Sequence, residues 1–245
     1  MITLDTVESK FGTITVSKKK STSTITYEQG GYCQSEADAN GVSLAAYIHA
    51  IFGLIRQTKA HKILIIGCAG GTLATMLARA GCEVTLVDVE PHSFALARRH
   101  FALPDSVECR VADGKSFFYS DTDRYDAIVL DAFEGDHIPA HLRSLPFYYL
   151  VADRLAGSGV VLTNVHVKND ADRHPDRIAA CLSKAFQDVR LLDSEGQECR
   201  NAIVMAGAVS RLALPAIITP PMAGHTEIKA ELQTLKFRPP RALWQ

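Results

Sequence analysis

The chain of 245 residues has almost no surplus of charge: 26 basic residues stand against 27 acidic ones, a formal net charge of −1. It therefore carries no field suited to a nucleic acid or to an anionic membrane surface. Its one run of like charge, Lys18-Lys19-Lys20, is short and reads as a solvated hairpin end. The six cysteines (33, 68, 82, 109, 181, 199) are scattered, and none forms a CxxC pair that would support a zinc site. Long apolar runs are also missing. The uncharged stretch 63–78 is cut by three glycines and falls short of a membrane span. The opening "MITLDTVESKFG" has early acids and no apolar segment of the kind a secretory signal needs. No internal repeat or low-complexity tract occurs. His137 and His141 are four apart, but Pro139 lies between them and no third ligand is evident, so no metal is expected. These absences lead to the expectation of a reduced, cytoplasmic protein without nucleic-acid or membrane partners.

What remains is a hydrophobic share of 47%, enough for one large domain with a substantial core, or a main domain with a small appendage. Residues 1–40 alternate Thr, Ser, Val and Ile around turn residues at Lys18–Lys20 and Gly30–Gly31, which predicts two or three short antiparallel strands. Residues 43–57 have helical apolar spacing, with Leu44, Ile48, Ile51 and Ile55 able to share a face. From "KILIIG" onward the pattern alternates. The strands "EVTLVD", "VECRVAD", "DAIVLD" and "GVVLTNV" follow, with helices in "GTLATMLARAG", "PHSFALARRHF" and near 141–155. This grammar predicts an α/β fold, a mostly parallel sheet covered on both faces, over 41–210. A helix near 175–186 then precedes "VRLLD" and "AIVMAG", read as an edge pair. The segment 211–245 is proline-broken, with a short amphipathic helix in "TEIKAELQTLKF".

Chemistry gathers at the strand ends. "ILIIGCAGGTLA" sets Gly67, Gly70 and Gly71 between a strand and a helix, where a tight turn lets a ligand approach the backbone. Asp88 closes the next strand, 21 residues after Gly67, a position suited to accepting hydrogen bonds from ribose hydroxyls. Asp113 and Asp131 close the two strands after that. Four successive strands thus finish in a glycine loop or an acid, on the edge where open α/β sheets bind ligands. A dinucleotide fingerprint would need glycine at 67, 69 and 72, but Ala69 and Thr72 break it. Acids after two strands fit a nucleoside without phosphates, such as an adenosyl sulfonium, better than NAD. After Asp131 come Glu134 and Asp136, in "LDAFEGDHIPAHL". A carboxylate here could take the proton from an incoming amine, whose pKa of roughly 10 keeps it charged at neutrality. Clustered acids are expected to raise one another's pKa, and Phe133 and Pro139 to form an apolar wall.

These residues resemble the spermidine synthase-like family of polyamine aminopropyltransferases, a branch of the class I AdoMet-dependent methyltransferase fold. The resemblance runs over about 27–165 and rests on "GCAGGT", Asp88, "ADG" and above all "LDAFEGDHIPAHL". It implies a Rossmann-like fold with a small N-terminal β region, and a homodimer. It implies decarboxylated S-adenosylmethionine or S-adenosylmethionine as co-substrate and a small-molecule amine or other nucleophile as acceptor. The implied nucleoside set is Gln34, the loop residues Gly67, Ala69, Gly70 and Gly71, then Asp88 with Val89, and Asp113 with Gly114. Asp131 would be the catalytic base and Glu134 would hold the amine; Asp136, beside them, is a further candidate for orienting its positive charge. There are departures. An acid usual inside the glycine loop is replaced by Gly70, and the Tyr and Gln of the preceding helix fall on Ala45 and Ala46. A later Tyr- and Pro-rich loop is replaced by "NVHVKNDADRHP". The leading expectation is aminopropyl transfer to an amine. The alternatives are methyl transfer from AdoMet to a small molecule, or nucleoside binding without turnover.

Overall fold

The structure is a computed structural model and describes residues 1–242; the last three residues of the expected tail lie outside them. The chain opens with four antiparallel strands paired in sequence order, β1 (Ile2–Val7), β2 (Ile14–Lys18), β3 (Ile25–Gln29) and β4 (Tyr32–Ala37). That is one strand more than the composition suggested. After helix α1 (Ala46–Thr58) the alternation begins: β5 (Lys62–Ile66), α2 (Thr72–Arg79), β6 (Glu83–Asp88), α3 (Pro91–His100) and β7 (Glu108–Val111). Then come α4 (Gly114–Ser120), β8 (Tyr125–Leu130), a short 3-10 turn (Ala140–Arg143), α5 (Leu145–Arg154) and the long β9 (Leu155–Val167). The chain continues through α6 (His174–Leu182), β10 (Val189–Asp193), β11 (Arg200–Gly207), α7 (His225–Thr234) and β12 (Lys236–Arg238).

The eight-stranded sheet runs β12-β10-β11-β9-β8-β5-β6-β7. Its β9-β8-β5-β6-β7 portion is parallel, and β11, β10 and β12 are added antiparallel. This is the Rossmann-like methyltransferase architecture. Buried strands such as β5, with Ile63 to Ile66 at 0–2% exposure, need no polar face because helices cover both sides. From β5 the chain runs one way to β6 and β7, while β8 lies on the other side. Such a reversal opens a crevice at the carboxyl ends of the strands.

Two expectations are corrected. The strands β10 and β11 are not an edge pair. β11 is internal, and the edge is β12, which pairs with β10 through Leu191, Leu192 and Asp193. The second correction is α4, which was not anticipated; Asp113 caps it, its Oδ1 accepting the Ser116 N–H at 2.9 Å.

The small sheet is docked rather than loose. Ile14, Val16, Ile25 and Tyr27 pack with Leu96 and Phe101 around α3. Tyr27 shares a 3.0 Å hydrogen bond with Ser93, and Ser35 Oγ accepts the Gly70 N–H at 3.1 Å. At the far edge, Arg238 reaches Asp176 at 2.7 Å and Asp193 at 3.1 Å. Both carboxylates are almost fully buried, so the last strand is held by charge as well as by its ladder. Among the described residues no helix is long and apolar enough to cross a membrane.

Candidate active site

Parallel pairing puts the C-terminal ends of β5, β6, β7 and β8 on one edge of the sheet, so the glycine loop and the three strand-end acids meet. They line a cleft of about 760 Å³, closed on one side by the small sheet. Gln34, Gly67, Ala69 and Gly71 lie along its wall, as do Asp88, Val89, Asp113 and Gly114. Asp131, Glu134 and Asp136 line it too.

Gly67 has φ +108°, and a Cβ there would sit 2.2 Å from the Asp131 carbonyl oxygen. The switch between β5 and β8 therefore tolerates no side chain at this point. Asp88 holds the loop from the other strand. Its Oδ2 accepts the Cys68 N–H at 2.6 Å and its Oδ1 the Glu90 N–H at 2.8 Å. Burial raises the pKa of this carboxyl despite those two donors. Asp113 is lowered. Burial works against ionisation there, but the Ser116 N–H and His141, whose Nε2 lies 2.6 Å from Oδ2, outweigh it. A carboxylate has about four acceptor positions, so both acids retain lone pairs for a ligand.

Gly70 departs from the expectation. It does not line the cleft, and a Cβ built there meets the Phe101 ring and Ser35 at 2.9 Å. A side chain at 70 would press into the packing behind the loop instead of meeting a ligand.

Asp131 sits at the floor of the cleft. Its Oδ1 accepts the Asn164 amide at 2.7 Å, and the Tyr47 hydroxyl approaches Oδ2 at 3.5 Å. Register explains the first contact: Leu130 pairs with Thr163, so Asp131 and Asn164 are the next residues on neighbouring strands. Asn164 is in turn oriented by the Asn201 amide, 3.0 Å from its Oδ1. Burial among these groups pushes the Asp131 carboxyl from 3.8 up to about 7, and the two hydrogen bonds restrain the rise.

The neighbouring acids are not the cause. Glu134 is exposed, in a tight turn closed by hydrogen bonds between its backbone and that of His137. Asp136 pairs with His137 and, at 3.6 Å, with Lys168; despite some burial, these charges hold its carboxyl low. The expectation of three mutually repelling acids is thus replaced by one desolvated acid and two set apart from it.

Sequence reasoning missed four cleft residues, Tyr47, Asn164, His166 and Asn201. Matching the first helix without gaps drew attention to Ala45 and Ala46. The phenol comes instead from Tyr47, whose pKa is raised well above normal by burial and the nearby Asp131 carboxylate. Asn164 and His166 were legible as polar positions at two-residue spacing in the otherwise apolar "VVLTNVHV".

Comparison with known proteins places the fold. Residues 63–145 match a family model described as a methyltransferase domain. The polyamine aminopropyltransferase of Vibrio vulnificus is 34% identical over 161 residues, 63% of this chain and 52% of that protein. A probable spermidine synthase from Corynebacterium glutamicum superposes with a TM-score of 0.77 at 19% identity, covering 96% of this chain and 90% of that one. A spermidine synthase bound to the transition-state analogue AdoDATO gives 0.67 at 17% identity, covering 94% and 85%. The chain is therefore similar in sequence to polyamine aminopropyltransferases and in fold to spermidine synthases, and it shares the class I methyltransferase fold. It spans about half the length of the Vibrio protein.

Proposed function

We propose that the chain is a transferase that moves an aminopropyl group from decarboxylated S-adenosylmethionine to an amine. The observation that carries this reading is Asp131, a single acid at the cleft floor whose carboxyl is poised at about 7. A base near the working pH can accept a proton and still exist largely as the carboxylate. Similarity to aminopropyltransferases supports the substrate class.

In this reading the donor's nucleoside lies along the glycine loop, where backbone N–H groups and Asp88 meet the ribose and Asp113 the adenine amino group. Gln34, Val89 and Gly114 complete the enclosure. The amine enters between Phe133, Pro139 and Tyr47. Its lone pair attacks the propyl carbon, the carbon–sulfur bond breaks with its electrons going to sulfur, and methylthioadenosine leaves as a neutral thioether. The amine proton passes to Asp131, while Asn164 and Asn201 keep that carboxylate aimed. Positioning supplies most of the acceleration, because the sulfonium is already activated. Glu134, exposed at the cleft rim, attracts the amine's charge.

Methyl transfer from AdoMet is the second reading, favoured by the methyltransferase-domain match. The two differ in product. Incubation with each donor and a panel of amines, followed by mass spectrometry, decides: methylthioadenosine marks aminopropyl transfer and S-adenosylhomocysteine marks methyl transfer. If neither appears while adenosyl thioethers still bind, the chain is a nucleoside-binding protein without turnover. A homodimer remains part of the proposal and is tested by sedimentation.

A further inference from the structure

Behind the acid loop lies a second, shallower recess of about 470 Å³. The loop is the wall between the two spaces. Asp136 and His141 line the cleft, while His137 and Arg143 line the recess. Lys168, His174 and Arg177 make up the rest of its basic side, with Asp172 beside them.

Its charge is unbalanced. Arg143, Lys168 and Arg177 are permanent cations, set against two carboxylates, Asp136 and Asp172. Asp172 already accepts the backbone N–H groups of Lys168 and His174, at 3.2 and 2.9 Å. Neither the Arg143 nor the Arg177 guanidinium has a hydrogen-bond or ion-pair partner among the described residues. His174 has its Nε2 buried and unpaired among them. Burial, then the charge of Arg143, lowers this imidazole's pKa, with His137 and Arg177 acting in the same direction. A buried imidazole nitrogen without a partner is costly, and the two exposed guanidiniums beside it have donors free for an anion.

The recess lies at the end of the strand that lines the acceptor side of the cleft. Asn164, His166 and Lys168 follow at two-residue spacing, which places them on one face of extended chain. The Lys168 carbonyl still accepts the Cys199 N–H at 3.0 Å, so the ladder holds this far. From Asn164 to Lys168 is about 13 Å at the usual rise of a strand. Asn164 holds Asp131, and Lys168 reaches across to Asp136 at 3.6 Å. One face of this chain segment therefore runs from the residue that holds the base to the cations.

We propose that this recess is an anion-binding subsite for a phosphate or carboxylate group, carried at the far end of the acceptor. The acceptor is then an aminoalkyl phosphate or amino acid-like nucleophile in place of a polycation. That assignment rests on the transfer reading; anion binding by the recess does not.

The test starts without donor. Inorganic phosphate is titrated into the whole chain and followed by calorimetry and phosphorus NMR. Saturable binding in the millimolar range is expected, and the Arg143→Gln/Arg177→Gln double variant should bind at least ~10-fold more weakly. Both arginines are exposed, and retention of the melting-temperature shift caused by methylthioadenosine verifies that the variant is folded. No saturable binding, or equal binding by the double variant, overturns the subsite.

The source of the anion is then read kinetically, with an aminoalkyl phosphate and a plain amine of equal length. A lower KM for the phosphate-bearing amine, with the advantage lost in the double variant, assigns the anion to the acceptor. Equal KM values alongside phosphate binding overturn that assignment and leave a free anion as the ligand. If no acceptor is turned over, the transfer reading fails, yet the phosphate titration still decides the recess.

Discussion

Replacing Asp131 by asparagine should damage function and improve stability at once, because the cleft floor sets the two against each other. In the folded chain the carboxyl titrates at about 7, against an ordinary 3.8. Between those values the folded state holds a proton that the unfolded state has released. Stability therefore falls as pH rises through this window, and the penalty is complete above about 7 and absent below about 4. The whole span is worth about 4 kcal/mol, since a tenfold change is roughly 1.4 kcal/mol. The cleft is open to water, which solvates the ionised form and reduces the working figure to about 1–2 kcal/mol. Asparagine has nearly the same shape, keeps an oxygen for the Asn164 amide, and does not ionise. Asp131→Asn is thus expected to raise the melting temperature at pH 8 by roughly 2–8 °C for a chain of this size. The gain should shrink steadily as the buffer is taken down to pH 4.5. Turnover should drop about 10²-fold or more while adenosyl thioethers still bind. Thermal melts across pH, paired with a product assay, make the measurement. A variant that melts no higher than the parent at pH 8, or by a margin independent of pH, refutes the assignment of a buried, poised carboxyl.

Asn164→Ala removes the 2.7 Å donor to Asp131, so the acid limb of kcat/KM should move up by about one pH unit; an unmoved limb would separate Asn164 from the base. Asp88→Ala releases the Cys68 and Glu90 N–H groups and should abolish most of the stabilisation by methylthioadenosine, about 2.7 kcal/mol for the parent at 100 times Kd. Stabilisation by NADH in place of adenosyl thioethers would overturn the nucleoside assignment. Gly70→Ala forces a Cβ to 2.9 Å from the Phe101 ring and Ser35 and should cost about 1–3 kcal/mol in denaturant unfolding. Arg238→Ala leaves Asp176 and Asp193 buried without their shared cation, and an expected loss of about 3–5 kcal/mol is read by the same titration.

The core strands were legible because a parallel sheet covered on both faces writes itself as short apolar runs between turn residues, as in "KILIIG" and "DAIVLD". Asp88 and Asp131 were legible for the same reason, since each is the first polar residue after such a run, and Asp113 as the acid that closes "VECRVAD". Helix α4 was not. Its seven residues span two turns, too few for an apolar period, and its start is marked only by the capping Asp113. Strand β12 has three residues, too short to show alternation. The state of the acid loop was the deepest miss. The spacing of Asp131, Glu134 and Asp136 suggests repulsion among neighbours, but which carboxylates face one another depends on the turn closed between Glu134 and His137. Tyr47 and Asn164 reach Asp131, and Asn201 reaches Asn164, from distant segments, so only the packed sheet brings them together.

The salt link of Arg238 to Asp176 and Asp193 has a consequence in time. Every residue lining the cleft lies at or before Asn201, so the substrate-binding parts are all synthesised while the counter-charge for the sheet edge is still to come. Asp193 meets Arg200 at 2.7 Å soon after it is made, but Asp176 waits without a cation until position 238 leaves the ribosome. A nascent chain therefore carries its cleft residues before β12 can complete this edge of the sheet. Chains cut short upstream of it would hold a full set of active-site residues on a frame open at one edge, which is where quality control by proteases would find them.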